Sequence, residues 1–264
     1  MNAETTTNRR STRILVAVDE SPDGLAALEM AAALAAGLPG ELAGLFVEDD
    51  RLVRAAGLPF SRELGIGTAQ SRPLALADVE LQFAAVARQL RAALESTARR
   101  ARLRWSFEVA RGAIVRQTLA RAEQVDFVVI GRHSLMPRAF DLSRSRPTAS
   151  RTESLFVLFN GDTASRRMLA AAARLAHDLH ARLDVFLSAR TNLGVADLQR
   201  QAVELLEGEH AVACVHPQPI ADASTLIETA RRLGPRLLFV GATDELLDEA
   251  FVERLVSELH CPVA

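Results

Sequence analysis

The sequence predicts an α/β protein built from two doubly wound parallel-sheet domains in tandem. Short continuous runs of apolar and β-branched residues, such as ILVAV at 14–18, are typical of parallel strands covered on both faces. Longer stretches between these runs repeat apolar residues at the spacing of an amphipathic helix. The chain also aligns with itself, because residues 15–48 match residues 156–189 without a gap, at an offset of 141. Alternating strands and helices in two copies indicate two similar parallel sheets.

The first copy divides into elements in chain order. Ser21 followed by Pro22 favours a helix start, because Ser caps free backbone N–H groups and Pro suits the first helical turn. Gly37 favours the end of the same helix. The predicted strands are 14–18, 42–47, 105–110 and 125–130, and the predicted helices are 22–36, 74–103 and 112–123.

Residues 48–73 depart from this pattern. Glycine and proline interrupt the segment repeatedly, although it also carries large apolar side chains such as Leu58 and Phe60. One interpretation is that the segment folds back as a lid over the edge of the sheet. The other is that it forms a docking surface for a partner protein.

The second copy sets the domain boundaries. Residues 118–131 match residues 228–241, so the repeat extends to the end of the fourth strand. We expect domains at 13–136 and 154–264, joined by an Arg-, Ser- and Pro-rich linker at 137–153. Cys261 to Ala264 begin a fifth strand, whereas the first copy is short of one.

The missing fifth strand would leave the fourth strand of the first copy with an open edge. An open edge promotes aggregation. Residues 155–159, the linker or another chain are therefore expected to cover it.

Composition excludes several classes of function. The net charge is −2, which argues against nucleic-acid and membrane partners. The chain has no lysine, which excludes a P-loop lysine and a Schiff-base enzyme. The polar residues 1–13 lack the apolar core of a signal peptide, and we expect a cytoplasmic protein.

No metal site is expected from the sequence. Cys214 and Cys261 are interpreted as buried, reduced thiols, since neither belongs to a CxxC motif. His177 and His180 share a helix face but have no identifiable partner ligand. Cys214 and His216 alternate along a strand, which packing explains equally well.

The segment RILVAVDESPDGLAALEMAAALAAGLPGELAGLFVED, at 13–49, resembles the opening of a universal stress protein domain. In that family the first strand ends in an Asp and the second in a Val-x-Asp sequence, here Asp19 and Val47 to Asp49. The resemblance implies a Rossmann-like, five-strand parallel sheet of order 3-2-1-4-5 in each domain. It also implies that Asp19 and Val47 lie on the adenine side of a nucleotide site. Members of the family either bind ATP or have lost that ability.

The ATP-binding members carry Gly-x2-Gly-x9-Gly-Ser/Thr after the fourth strand. Glycines there let backbone N–H groups approach the phosphates, and the hydroxyl adds a donor. Gly131 and Ser145 match the first and last positions, but Ser134 and Arg144 replace the other two glycines. The corresponding positions of the second copy are Gly241, Asp244, Arg254 and Leu255, which lack the motif.

We therefore expect a non-enzymatic stress-response protein that acts through protein contacts, with no cofactor and little or no ATP binding. The partner would dock on residues 48–73. The two domains would form an internal pseudo-dimer, and a homodimer remains open. The alternative is an ATP- or AMP-binding sensor that uses the first domain only.

Overall fold

The structure is a computed structural model that describes residues 12–19, 21–38, 40–64, 71–131, 154–189, 191, 193–209, 211–241, 249–259 and 261–264. The predicted linker at 137–153, with Ser134, Arg144 and Ser145, lies outside the described residues.

The first half contains a four-stranded parallel sheet. Its elements are β1 (Thr12–Ala17), α1 (Pro22–Ala36), β2 (Gly40–Glu48), α2 (Asp50–Ala56), β3 (Arg62–Leu64), β4 (Ser71–Pro73), α3 (Leu76–Arg100), β5 (Arg104–Arg111), α4 (Ile114–Ala122) and β6 (Phe127–Ile130). The sheet order is β5-β2-β1-β6. Counting only these four strands, the order is 3-2-1-4, as predicted.

The second half repeats this arrangement. Its elements are β7 (Ser154–Phe159), α5 (Thr163–Asp178), β8 (Arg182–Ser188), α6 (Val195–Glu207), β9 (Ala213–Ile220), α7 (Ala223–Leu233), β10 (Leu237–Val240) and α8 (Glu249–Glu258). The strands form a parallel sheet of order β10-β7-β8-β9. Two doubly wound sheets in tandem confirm the predicted fold class. None of the helices in the described ranges combines the length and apolar character needed to cross a bilayer.

Helix α1 begins and ends at the residues that the sequence predicts. The Ser21 hydroxyl accepts a hydrogen bond from the Gly24 N–H, and Pro22 is the first helical residue. Gly37 follows the last turn as its C-cap. Helix α1 then buries an alanine-rich face in an apolar cluster that extends into the second half, where Leu169 of α5 belongs to it.

Residues 48–73 contain more regular structure than the sequence indicates. Asp49 caps the seven-residue helix α2 by accepting a hydrogen bond from the Arg51 N–H. Strands β3 and β4 pair antiparallel as a small hairpin. The sequence does not reveal these elements because they are short. Helix α2 buries Ala56 alone, and β4 exposes all three of its residues, so no periodic pattern of burial develops.

Val263 covers the edge of β6. Its N–H donates to the Ile130 carbonyl at 2.9 Å, and its own carbonyl accepts from the Ile130 N–H at 2.8 Å. On the other side of the Val263 segment, the Ala264 N–H donates to the carbonyl of Leu238 in β10 at 2.7 Å. The segment therefore pairs antiparallel with β6 and parallel with β10.

The expectation that residues 155–159 would cover the β6 edge is wrong. These residues lie in β7, which is an interior strand between β10 and β8. The single segment Cys261–Ala264 takes the fifth-strand position beside β10, and Val263 in the same segment closes β6.

Candidate functional site

The carboxyl ends of β1, β2 and β6 meet at one edge of the first sheet. Ala17 of β1 pairs with Leu45 of β2 and with Ile130 of β6. Asp19 follows Ala17 by two residues, and Val47 follows Leu45 by two residues. Gly131 follows Ile130 directly. The edge lies where the strand order reverses between β1 and β6, the position at which open α/β sheets bind ligands. Three of the five predicted site residues therefore come together here, and Ser134 and Ser145 lie outside the described residues.

The Asp19 carboxylate is built into the start of α1. Its Oδ1 atom accepts a hydrogen bond from the Ser21 N–H at 3.0 Å and another from the Ser21 hydroxyl. The Ser21 hydroxyl oxygen in turn accepts from the Gly24 N–H at 2.9 Å. A carboxylate at the first turn is also favoured by the helix dipole. Asp19 thus has a structural role in this turn whether or not a ligand binds.

Gly24 and Gly131 allow the β6 loop to approach α1 closely. A Cβ atom added to Gly24 would lie 2.2 Å from Asp19 Oδ1 and 2.7 Å from the Asp19 carbonyl oxygen. A Cβ atom added to Gly131 would lie 3.0 Å from the Asp23 carbonyl oxygen and 3.1 Å from Gly24 Cα. Packing alone therefore accounts for glycine at 131. Its presence does not by itself indicate a phosphate site.

Val47 and its neighbours form the side of this edge nearest β5. Val47 is half-buried and packs on a small apolar cluster that includes Leu45. The next residue, Glu48, forms an ion pair with Arg111 of β5 at 2.8 Å. The Glu48 carbonyl also accepts a hydrogen bond from the Gly112 N–H at 3.0 Å. The side chain and the carbonyl of Glu48 are therefore both bonded within the chain on this side of the edge.

The second half repeats the turn after its first strand. The Asp162 N–H donates to Asn160 Oδ1 at 3.0 Å, as Ser21 does to Asp19. The Asp162 carboxylate then caps α5 by accepting from the Ser165 N–H at 2.6 Å. Asn160 and Asp162 correspond to Asp19 and Ser21, so the two halves share this local geometry with different side chains.

Side chains fill the matching edge of the second half. Gly161 has a φ of +83°, and a Cβ atom there would lie 2.7 Å from Leu198 and 2.9 Å from Leu193. The Arg166 guanidinium spans the same place, donating to the Gly161 carbonyl at 3.1 Å and to Gln201 at 2.7 Å. Helix α6 and the residues before it therefore occupy the space above the turn.

Large exposed apolar side chains concentrate on one part of the first half. Phe60 is 92% exposed and Leu58 is 62% exposed, so neither covers the sheet as a lid would. Leu52, Leu76 and Leu81 are also exposed. These five residues, from α2 to the first turns of α3, are called the apolar patch below.

A second cluster joins three side chains on β8 and β9. Asp184 is buried, and its Oδ1 atom lies 3.0 Å from His216 Nε2. Cys214 lies beside both residues, with one potential ligand atom from each of the three within 4.8 Å of the others. Cys214 is exposed rather than buried as the sequence analysis expected. The sequence analysis missed Asp184, a buried charged residue that lies between the apolar residues Leu183 and Val185 of β8.

Comparison with known proteins gives a family and a fold. The universal stress protein family model matches residues 11–144, just over half of the chain. A universal stress protein from Archaeoglobus fulgidus DSM 4304 is 13% identical, with 96% of this chain and 95% of that chain covered and a TM-score of 0.53. This likeness in fold extends over both halves.

Two further structures are similar over smaller or less well superposed regions. A universal stress protein in complex with cAMP is 16% identical, with 44% and 98% covered and a TM-score of 0.35. A universal stress protein family member from Burkholderia pseudomallei is 14% identical, with 78% and 96% covered and a TM-score of 0.27. No curated protein sequence matches the chain significantly.

Proposed function

Since the chain belongs to the universal stress protein family, we propose that it is a non-catalytic stress-response protein that acts through protein contacts and binds little or no ATP. The observation that carries this proposal is the exposure of Phe60 and Leu58. An almost completely exposed phenylalanine leaves its apolar surface in water. Burying that surface against a partner would contribute about 25 cal/mol per Å² to the free energy of binding. Where exposed apolar side chains of this size adjoin one another, they commonly mark an interaction site.

The contacts at the ligand edges of the two sheets support the proposal that the chain binds little or no nucleotide. In the second half, Leu193 and Leu198 lie over Gly161, where a ligand at that edge would need space. In the first half, Asp19 and Gly131 have structural roles in joining β1 and β6 to α1. Among the described residues, the Asp19 carboxylate is therefore bonded within the chain, and side chains cover the turn at Gly161.

We also propose that the two halves work together as an internal pseudo-dimer. The antiparallel pairing of Ile130 with Val263 joins their sheets. Helix α4 packs on α8, where Val115 shares an apolar cluster with Val252 and Arg116 forms an ion pair with Glu249 at 3.2 Å. A second copy of the chain is then unnecessary for closing the β6 edge.

Site-specific photo-crosslinking tests the contact role of the apolar patch. A photoreactive phenylalanine analogue is placed at Phe60 and, as the matched control, at Val212 in the second half, which is 74% exposed. We expect a discrete crosslinked partner in the native host from position 60 alone, and its loss when Leu58→Ser is added. Equal products from both positions would contradict the proposal.

Calorimetric titration with ATP and with AMP tests the nucleotide part. We expect no saturable heat from the full chain for either nucleotide. Tight binding at one nucleotide per chain would overturn the proposal of little or no ATP binding. It would not affect the test of the apolar patch by crosslinking.

The second candidate function is an ATP- or AMP-binding sensor that uses the first half only. The observation that favours it is the meeting of Asp19, Val47 and Gly131 at the point of the sheet where the strand order reverses. The sensor requires a nucleotide-induced rise in melting temperature that Asp19→Ala removes. Asn160→Ala, at the equivalent position of the second half, is the matched control and leaves the rise intact. Absence of any rise in the wild type would exclude the sensor.

A further inference from the structure

Asp184, Cys214 and His216 lie on one face of the second sheet, apart from both ligand edges. Asp184 of β8 pairs in register with Cys214 of β9, and Phe186 pairs with His216. Since alternate residues of a strand share a face, Cys214 and His216 both lie beside Asp184. The strand pairing brings together one carboxylate, one thiol and one imidazole.

The distances within this cluster suit a small metal ion. With Zn–N and Zn–O bonds of about 2.0–2.1 Å and a Zn–S bond of about 2.3 Å, donor atoms around a tetrahedral zinc ion lie roughly 3.3–3.6 Å apart. Asp184 Oδ1 and His216 Nε2 lie 3.0 Å apart, and all three donor atoms are within 4.8 Å of one another. Because Cys214 is exposed, rotation of its side chain can bring the sulfur closer without repacking the core.

Neighbouring groups hold two of the three side chains in place. The Arg182 guanidinium donates to Asp184 Oδ2 at 2.8 and 3.1 Å, which leaves Oδ1 directed at His216. The imidazole ring of His216 stacks on Phe186, with ring centres 4.1 Å apart and planes at 4°. Support of this kind from a second layer of residues orients ligands in known metal sites.

The charge balance also permits a cation. Arg182 brings one positive charge, but its side chain is 47% exposed and therefore partly screened by water. Asp184 and a Cys214 thiolate would supply two negative charges directly to the ion. A mixed set of sulfur, nitrogen and oxygen ligands favours zinc and its neighbours over magnesium or calcium.

We propose that Asp184, Cys214 and His216 form a binding site for a divalent ion of the zinc class, with a fourth position open to water. Such an ion would link β9, which pairs only with β8 among the described strands, to the interior of the sheet. Without the ion, Asp184 and His216 form a hydrogen-bonded pair, and Arg182 holds the Asp184 carboxylate in place.

Titration of the reduced full chain with Co²⁺ tests the site. A thiolate ligand gives cobalt a charge-transfer band in the near ultraviolet, and the sequence has two cysteines that could produce it. We expect a band that saturates at one equivalent, disappears in Cys214→Ser and persists in Cys261→Ser. We also expect His216→Ala to weaken Zn²⁺ binding by on the order of 10-fold or more.

The control variants make the result specific. Cys261 is buried elsewhere in the second half, so its replacement measures non-specific damage, while the exposed position of Cys214 makes Cys214→Ser mild for folding. No band in the wild type would overturn the proposal. A band that survives Cys214→Ser would also overturn it, as would a band lost in a Cys261→Ser protein that keeps the circular dichroism spectrum of the wild type.

Discussion

Ile130 and Val263 exchange both of their backbone hydrogen bonds, at 2.8 and 2.9 Å, across the boundary between the two halves. The two residues belong to different sheets by their other pairings, because Ile130 lies beside Ala17 and the Val263 segment lies beside Leu238. This one pairing closes an edge that the first half does not close within its described residues.

Replacing Val263 with proline should weaken this junction. Val263→Pro keeps a similar apolar side chain but removes the N–H that donates to the Ile130 carbonyl, and an unsatisfied buried carbonyl costs about 1–3 kcal/mol. We expect a loss of unfolding free energy of that size beyond the loss in Val263→Ala, measured by chemical denaturation. Val263→Ala is the control because it shortens the side chain and retains the backbone donor. Equal losses in the two variants would contradict this prediction.

Removing the segment Cys261–Ala264 should cause self-association. The deletion uncovers β6 and the outer side of β10 together, and open strand edges pair readily with other chains. Light scattering after size exclusion should show a larger assembly than the full chain gives at the same concentration. An unchanged mass over a wide concentration range would show that another part of the chain protects these edges.

Gly24→Ala should destabilise the protein although alanine favours helices. The added Cβ would lie 2.2 Å from Asp19 Oδ1 and 2.7 Å from the Asp19 carbonyl oxygen, so the turn between β1 and α1 has to move. Overpacking of this kind costs about 1–3 kcal/mol, which should appear as a lower melting temperature.

The matched control for this change is Gly208→Ala. There the nearest atom to an added Cβ is 4.0 Å away, so we expect a neutral or slightly stabilising effect. A Gly24→Ala protein as stable as Gly208→Ala would show that the turn adjusts freely.

The ion pair between Glu108 and Arg121 should make stability depend on pH. The hydrogen bond from Arg121 lowers the pKa of Glu108 below its ordinary value of 4.5. The ionised carboxylate therefore stabilises the fold above pH 4.5, and this contribution is lost as the pH falls through the lower, folded-state pKa. Because the Glu108 side chain is 58% exposed, the contribution should be less than about 1 kcal/mol.

Glu108→Gln provides the measurement. Its unfolding free energy should fall below that of the wild type at neutral pH, and the two should converge in acid. A difference that is the same at both pH values would assign the effect to lost packing rather than to charge.

The sequence predicts those parts of the fold whose local signals agree with their burial. Helix α1 is predicted at the residues where it occurs, since Ser21, Pro22 and Gly37 mark its ends and its alanine-rich face is buried. Helix α2 is missed because it is only seven residues long, glycine and proline follow it closely, and Ala56 is its one buried residue.

The covering of β6 could not be predicted because tertiary contacts determine it. Residues 261–264 are too few to show a periodicity, and their pairing with Ile130 depends on how the two sheets meet. Asp184 was missed for a similar reason. An Asp within a buried strand is tolerated because the Arg182 guanidinium pairs with it and His216 lies within hydrogen-bonding distance of it. His216 comes from the neighbouring strand.

The shared segment also ties the two halves together when they unfold. Ile130 and Val263 are 133 residues apart in sequence, so their pairing closes a long loop and is expected to form late in folding. Once formed, neither sheet can release the segment without uncovering the edge of the other. The halves should therefore lose their structure in one cooperative transition, and damage in either half should lower the stability of both.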